Sequence, residues 1–341
     1  MLHCAPIMFC TLLVPDLLPP GPRDAQHPAP RAPRLAALLA RGTVATMPAG
    51  GMEAWLCAQF GVARQHDWPV APLTLTVDGG EPGDAYWLRC DPVHLHIRQN
   101  RMYLSNTAGT PTPAEIAAFT AALNRQFTND GLHFRGGTNG RCYVRCDQHT
   151  EIVTRPLHAV IDRDINPHMP TGADSAYWRR VLNEIQMLLH AQLFNAEREV
   201  RGQAALNSLW LWGGGYAPRI GSARFTSMWS NDALGNALAA AGAVPCAVVP
   251  VDAQPVLATG GHTLVVLTAA RAAGNDAAAW QSAIEQLEQD WFAHCHAALR
   301  GRRLQQLNIV GVTADGGRQW TIKSADTWRW WRRTGSLSSH V

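Results

Sequence analysis

The chain has 341 residues, of which 47% are hydrophobic and 16% are charged, and its formal net charge is +3. This length allows a sizeable core in one large domain or two smaller ones, and the composition excludes a disordered polymer. No apolar run approaches about 18 residues, so we expect no membrane span. The 29 basic residues are scattered among 26 acidic ones, so the charge distribution does not favour a nucleic-acid partner.

The cysteines and the first apolar segment indicate the cellular compartment. The 8 cysteines include no C-x-x-C pair, and a disulfide framework would be unusual in a chain this long, so we predict a cytoplasmic protein. The segment 7–18 could be taken for a signal peptide, but no Lys or Arg precedes it and Asp16 interrupts it. A buried first strand over Phe9–Val14 fits these residues better.

Helical and extended patterns alternate in the first third of the chain. A Pro-rich loop at 19–33 leads into a helix at 34–41. The segments 73–77, 86–97 and 102–105 carry β-rich patterns separated by Gly, Asp and Asn, which predicts an antiparallel region.

A capping box gives the firmest local signal in the middle third. Thr112 and Glu115 have the required spacing, and apolar residues follow at helical intervals, which predicts a helix starting there. A strand pair is expected at 133–134 and 142–146. The apolar stripe within 178–189 predicts a helix packed on the core.

The last third predicts a parallel sheet, because apolar strands at 246–251, 264–267 and 307–312 alternate with helical stretches at 232–241 and 279–299. The chain is therefore predicted to be an α/β protein. Its mainly parallel sheet is covered by helices, and a smaller α+β region is inserted into a core built from both chain ends.

Two neighbouring segments carry a resemblance to a known family. Residues 195–202 and 207–215 read N-A-E-R-E-V-R-G and N-S-L-W-L-W-G-G-G. They resemble the N-x-x-R-x-x-x-G and N-x-[IL]-W-x-W-G-x-G segments of the archaeal-type cofactor-independent phosphoglycerate mutases. Residues 88–97 and the helix 113–127 are similar to that family's inserted substrate domain, and 315–326 is similar to a stretch where the family carries metal ligands.

The resemblance implies an alkaline-phosphatase-like core formed by residues 1–70 and 195–341, with 71–194 as the inserted domain. It also implies two divalent metal ions and a Ser or Thr nucleophile that becomes phosphorylated. Such chemistry needs a metal-activated hydroxyl and cations that neutralise the phosphoryl oxygens.

Most of the positions that this chemistry needs have changed. Asp16 stands where the family has its first carboxylate ligand, and Asp315 is a second remnant, but Gly51 occupies the nucleophile position. A shifted register could bring in Thr43 or Thr46, although both lie several residues too early.

The metal-binding stretches are altered as well. The metal-rich stretch after the penultimate strand is replaced by 267–276, which offers one carboxylate and one arginine, and Lys323 stands at the last His position. We therefore expect no metal site.

A retained anion pocket is the preferred ligand site. The triplet Gly213–Gly215 could cradle phosphate through backbone N–H groups as a turn after a strand, although it could equally be a structural turn. With the residues that the resemblance adds, the predicted pocket consists of Asn195, Arg198, Asn207, Gly213, Gly214, Gly215, Arg141 and His158.

Three functions stay open. The losses favour a non-catalytic regulatory or ligand-sensing protein, without a cofactor, that binds a small phosphorylated anion or a protein partner; the chain also resembles proteobacterial RpfE-type regulatory proteins. The alternative is a phosphoglycerate mutase or phosphatase that depends on Mn, Zn or Mg ions. A third is a nucleic-acid-associated module built on 328–333, whose Trp and Arg residues could stack bases, although that segment also suits a core strand.

Overall fold

The computed structural model describes residues 8–18, 29–105 and 109–329, together with Arg332 and Leu337. The chain forms two compact units. Unit 1 combines the residues up to Gly61 with those from Ile220 onward, and unit 2 is Val62–Arg219.

The first segment of unit 1 supplies two strands and two helices: β1 (Met8–Pro15), α1 (Pro33–Arg41), β2 (Thr43–Met47) and α2 (Gly51–Gln59). The strand β1 is buried along nearly its whole length, which confirms the predicted first strand. Of the predicted loop, 19–28 lies outside the described residues. The predicted helix after it is confirmed as α1, which begins with a Pro in its first turn and buries Leu35, Leu38 and Leu39.

Unit 2 combines an antiparallel sheet with helices. Its elements are α3 (Val70–Val77), β3 (Tyr86–Arg98), β4 (Arg101–Ser105), α4 (Pro113–Phe127), β5 (Leu132–Gly136), β6 (Cys142–Cys146), α5 (Ser175–His190), α6 (Leu193–Val200) and β7 (Ser208–Gly215). The strands follow the order β4-β3-β6-β5, and β7 also pairs with β3. The capping box of α4 is formed as predicted, since Thr112 and Glu115 each accept a backbone N–H of the other.

The prediction of an extended segment at 73–77 is wrong, because this stretch lies in α3. The side chain of Leu75 packs against Trp87 inside unit 2. The hydroxyl of Thr74 donates to the carbonyl of Val70 at 2.9 Å, within the helix. Burial against the sheet therefore outweighs the strand preference of the β-branched residues here.

The rest of unit 1 alternates strands and helices: β8 (Ser227–Trp229), α7 (Ala233–Ala241), β9 (Cys246–Ala247), α8 (Gln254–Leu257), β10 (Gly261–Val266), α9 (Ala269–Ala272), α10 (Ala277–Leu287), α11 (Ala293–Arg300), β11 (Gln306–Thr313) and β12 (Gly316–Lys323). A π-helical turn, Glu288–Phe292, joins α10 to α11. The predicted strand at 246–251 is thus reduced to the two residues of β9.

Within the described residues, seven strands of unit 1 form one sheet in the order β2-β12-β11-β1-β10-β8-β9. The strands from β11 to β9 are parallel, whereas β12 and β2 are antiparallel additions at one edge. This mostly parallel sheet with its helices confirms the predicted α/β fold class. The apolar residues of β1, β10 and β11 pack against α1, α10 and α11.

The domain boundaries predicted at 70/71 and 194/195 differ from the crossings observed after residues 61 and 219. The second crossing comes later because β7 pairs with β3 from Ser208 to Gly215 and so belongs to unit 2.

The predicted core strand at the C-terminal end is wrong where it can be compared. Residues 324–328 form a 3-10 turn, and 330, 331 and 333 lie outside the described residues. Trp328 is 59% exposed, and the guanidinium of Arg300 lies 5.4 Å from its ring centre. Arg332 donates to the carbonyl of Gly42 at 3.2 Å.

The helices of the described ranges are all too short or too polar to cross a membrane.

Candidate functional site in unit 1

The carboxyl ends of the parallel strands meet at one edge of the unit 1 sheet, which is where open α/β sheets bind ligands. Asp16 directly follows β1, Asp232 follows β8, Arg271 follows β10 and Ala314 follows β11. Four connections therefore bring their side chains or backbone groups to this edge.

Asp16 is held in place through its backbone. Its N–H donates to the carbonyl of Val312 at 3.0 Å, and its carbonyl accepts from the indole N–H of Trp280 at 2.8 Å. Its φ of 58° lies in the left-handed region, which Asp tolerates better than most residues. The carboxylate therefore has a fixed position at the end of β1.

Arg271 links two carboxylates. Its Nε lies 3.2 Å from Oδ2 of Asp16, and its Nη1 lies 3.3 Å from Oε1 of Glu53, in the first turn of α2. The side chains of Arg271 and Glu53 are only 12% and 6% exposed. A fixed guanidinium thus stands among carboxylates at the edge where the family resemblance implies metal ions.

A third carboxylate is coupled to this group. Asp232 caps α7, accepting from the N–H of Gly235 at 3.0 Å. Burial raises the pKa of Asp232, the bond from Gly235 opposes that rise, the charge of Glu53 adds to it and the charge of Arg271 opposes it. We call Asp16, Glu53, Asp232 and Arg271 the carboxylate–arginine cluster.

The nucleophile position has no hydroxyl, and its backbone conformation disfavours any side chain. Gly51 begins α2 with a φ of +70°, and a Cβ added there would lie 3.1 Å from Oε2 of Glu53. Thr43 and Thr46 lie on β2 and are exposed, paired with Thr321 and Arg318 of β12. The structure therefore places both threonines on an edge strand, in a different element from the start of α2.

Two motif residues remain, Asp315 and Lys323. Asp315 lies near the sheet edge that holds the carboxylate–arginine cluster. Asp315 is exposed in the turn between β11 and β12, and the neighbouring carbonyl of Ala314 accepts from the N–H of Gly50 at 3.1 Å. Lys323 ends β12 opposite Gln306, the first residue of β11. Since Gln306 pairs with Phe9 at the start of β1, Lys323 lies at the other end of these strands from Asp16.

The residues of the predicted anion pocket have structural partners in unit 2. Asn195 is buried and bonds to Leu206 through both its amide N–H, at 3.1 Å, and its carbonyl oxygen, at 2.7 Å. Arg198, also buried, pairs with Glu115 at 3.0 Å. Asn207 accepts from the N–H of Leu95 at 2.8 Å and donates to its carbonyl at 2.8 Å. These side chains tie α6 and β7 to their neighbours.

Arg141 and His158 have separate surroundings. The guanidinium of Arg141 forms a two-point ion pair with Asp78, at 2.8 and 2.5 Å. His158 lies half-buried in a 3-10 turn, Leu157–Ala159. Arg141 and Arg198 are therefore neutralised by two different acids, Asp78 and Glu115, rather than converging on one anion.

The glycine triplet was predicted as a turn, and that is wrong, since Gly213, Gly214 and Gly215 are the last residues of β7. A Cβ on Gly213 would lie 2.9 Å from the Cβ of Val70, and one on Gly214 would lie 2.5 Å from the hydroxyl of Tyr86. Gly215 meets Pro69 in the same way, at 2.7 Å. Close packing accounts for all three glycines.

Sequence reasoning identified Asp16 and Gly51 but gave no role to Glu53 or Asp232, and it counted Arg271 only as a replaced metal ligand. Arg271 and Asp16 are 255 residues apart in the chain. The only local signal was their position just after predicted strands, and that signal could not tell which side chains meet.

The mostly parallel sheet of unit 1, with its helices, has an alkaline-phosphatase-like α/β fold. The cofactor-independent phosphoglycerate mutase of Thermoplasma acidophilum matches with a TM-score of 0.50 over 98% of this chain and 94% of that chain, at 14% identity. The PH0037 protein of Pyrococcus horikoshii matches with a TM-score of 0.56 over 93% of this chain and 88% of that chain, at 13% identity.

In sequence, the chain is phosphoglycerate-mutase-like by distant homology. The 2,3-bisphosphoglycerate-independent phosphoglycerate mutase of Methanosarcina mazei is 23% identical over 134 residues, which are 39% of this chain and 33% of the mutase. A probable enzyme of the same name from Geobacter sulfurreducens is 24% identical over 214 residues, 57% of this chain and 51% of the relative. The match thus spans a third to a half of these relatives. No protein-family model matches the chain.

Proposed function

We propose that this chain is a non-catalytic, phosphoglycerate-mutase-like protein that acts in regulation or ligand sensing. The observation that carries the proposal is the position of Arg271 between Asp16 and Glu53. A guanidinium that occupies carboxylate oxygens both consumes metal-ligand atoms and adds a positive charge that repels divalent cations.

The nucleophile position supports the same conclusion. Phosphoryl transfer through a covalent intermediate needs an oxygen, sulfur or nitrogen nucleophile, and Gly51 has no side chain. Its φ of +70° and the 3.1 Å approach of Glu53 to an added Cβ make a serine there strained. Restoring the chemistry therefore needs more than one substitution.

As ligand, we propose a small phosphorylated anion or a protein partner. Arg198 and Arg141 are paired with Glu115 and Asp78, so an anion would have to bind elsewhere. At the cluster edge, Nη2 of Arg271 is buried and has no hydrogen-bond acceptor among the described residues. We assign ligand recognition to the guanidinium of Arg271 as a whole, since its side chain is 12% exposed.

One observation favours the alternative of a metal-dependent mutase or phosphatase. In the carboxylate–arginine cluster, Asp16 and Glu53 contact the guanidinium of Arg271, and the charges of Glu53 and Arg271 influence the pKa of a third acid, Asp232. If Arg271 were to swing away, carboxylates suited to Mn²⁺ or Mg²⁺ would remain.

The test is an assay of phosphoglycerate mutase and general phosphatase activity on the tag-free full chain with added Mn²⁺, Mg²⁺ or Zn²⁺, beside metal analysis by mass spectrometry. We expect no turnover above that of the Asp16→Asn variant, and the same metal content in both proteins. Turnover and bound metal that are both lost in Asp16→Asn would overturn the proposal in favour of the metal-dependent enzyme.

A further inference from the structure

Three exposed side chains of unit 2 lie together outside the carboxylate–arginine cluster. His66, His149 and Glu151 each offer one ligand atom, and these atoms all lie within 4.8 Å of one another. The ring centres of the two histidines are 5.6 Å apart. The three residues come from two distant parts of the chain, so only the fold brings them together.

The backbone around His66 is fixed on both sides. Gln65 donates to the carbonyl of Tyr216 at 3.0 Å and accepts from its N–H at 3.0 Å. On the other side, the buried carboxylate of Asp67 accepts from the N–H of Thr154 at 3.0 Å. His66 therefore stands between two anchored residues, which limits the conformations that its side chain must lose on binding a ligand.

The segment that carries the other two residues is fixed in the same way. Thr150, which lies between them, is buried, and its hydroxyl accepts from the indole N–H of Trp178 at 2.7 Å. The N–H of Glu151 donates to the carboxylate of Asp174 at 2.7 Å. His149 and Glu151 thus project from a backbone that the start of α5 holds in place.

The ring of His149 is oriented as well. Its Nδ1 lies 3.1 Å from the hydroxyl of Tyr216, and the two rings stack with an interplanar angle of 11°. A hydrogen bond at Nδ1 leaves Nε2 as the nitrogen that can bind a metal, an arrangement that histidine ligands in metal sites share.

We propose that His66, His149 and Glu151 bind one divalent transition-metal ion of the zinc type. Two imidazoles and one carboxylate are a ligand set that Zn²⁺ favours, whereas Ca²⁺ and Mg²⁺ take mainly oxygen ligands. Three protein ligands leave a fourth tetrahedral position for a water molecule. The metal would join the start of unit 2 to the segment after β6 and so stabilise this unit.

The test titrates the tag-free, chelator-treated full chain with Co²⁺ and Zn²⁺. We expect one Co²⁺ per chain with the visible absorption of tetrahedral cobalt, displaced by Zn²⁺, and a higher unfolding temperature in the presence of Zn²⁺. The variants His66→Ala and Glu151→Gln should each weaken Co²⁺ binding at least tenfold. None of the hydrogen bonds described above uses either side chain, so both variants should fold.

Two controls separate this site from others. His133→Ala removes a half-buried histidine beside a carboxylate, Asp147, and should leave Co²⁺ binding unchanged. Asp16→Asn should also leave it unchanged, which separates this proposal from metal binding in unit 1. A His66→Ala/His149→Ala double variant that folds and still binds one Co²⁺ with the same spectrum would overturn the proposal.

Discussion

Arg271 is the residue on which the carboxylate–arginine cluster depends. Replacing it by Met leaves the buried carboxylate of Glu53 without the guanidinium. An acid left buried after its cation is removed costs about 3 kcal/mol of unfolding free energy. We expect Arg271→Met to lower stability by about 2–4 kcal/mol in urea denaturation, whereas Arg303→Met, at an exposed arginine, should change it by less than about 0.5 kcal/mol.

A double-mutant cycle identifies the origin of that loss. In a Glu53→Gln background, Arg271→Met removes no ion pair with residue 53, so it should cost at least about 1 kcal/mol less than in the original chain. If the two single losses simply add in the double variant, Arg271 and Glu53 are not coupled and the cluster does not act as a unit.

His296 predicts how stability depends on pH. Burial, and then the charges of Arg34, Arg41 and Arg300, lower its pKa from 6.5 to about 4. The folded protein therefore keeps this imidazole neutral where the unfolded chain protonates it. Its contribution to stability is complete above pH 6.5 and is lost as the pH falls from 6.5 towards 4.

The corresponding measurement compares unfolding free energies at pH 7.5 and pH 5.0. One extra proton bound by the unfolded chain lowers stability by about 1.4 kcal/mol per pH unit, so His296 should account for about 2 kcal/mol of the fall. The variant His296→Gln should lose that much less over the same interval. An equal loss in both proteins would contradict the assigned shift.

At the scale of single elements, the cap of α4 is open to a direct test. Thr112 accepts from the N–H of Glu115 at 3.2 Å, and the carboxylate of Glu115 accepts from Thr112 in return. Replacing a capping Thr by Ala costs about 1 kcal/mol. We expect Thr112→Ala to lower the unfolding free energy by about that amount. Thr110→Ala, two residues earlier and exposed, should have almost no effect.

The elements show which structural features were predictable from the chain alone. The strands β1, β3 and β11 and the helices α1, α4 and α5 follow from local patterns of burial, proline and capping residues. By contrast, α3 carries Val and Thr residues that favour a strand in isolation, and its helix is stabilised by burial against β3 and β7. The same limit applies to Gly213–Gly215, whose packing partners lie over a hundred residues away in the chain.

At the scale of the whole molecule, unit 2 has an apolar core of its own. The buried residues of this core, among them Leu88, Phe119 and Trp178, all lie between positions 86 and 211. A fragment of residues 62–219 should therefore fold alone, with a single cooperative transition by circular dichroism and calorimetry. A fragment cut at the boundaries predicted from sequence, 71–194, lacks β7 and should fail to fold cooperatively. Equal stability of both fragments would contradict the role assigned to β7.

The candidate sites were less predictable than the fold, because they depend on contacts between residues that are far apart in the chain. Motif spacing located Asp16 and Gly51, because Asp16 directly follows β1 and Gly51 begins α2, and each lies in a short motif that can be read locally. Asp16 pairs with Arg271, 255 residues away in the chain, and Arg271 pairs in turn with Glu53, 218 residues away. His66 likewise meets His149 and Glu151 only through the folded chain. Tertiary contacts of this kind leave no periodic signal in the sequence.

Within unit 1, the two chain positions that flank residues 62–219 lie side by side. The N–H of Gly221 donates to the carbonyl of Phe60 at 2.8 Å, and a Cβ on Gly61 would lie 3.3 Å from the Cα of Gly221. A single in-frame deletion of the DNA that encodes residues 62–219 would therefore join two backbone ends that already lie side by side. One recombination event in the gene can therefore insert or remove the whole segment, and the connections between the strands of the unit 1 sheet keep their lengths.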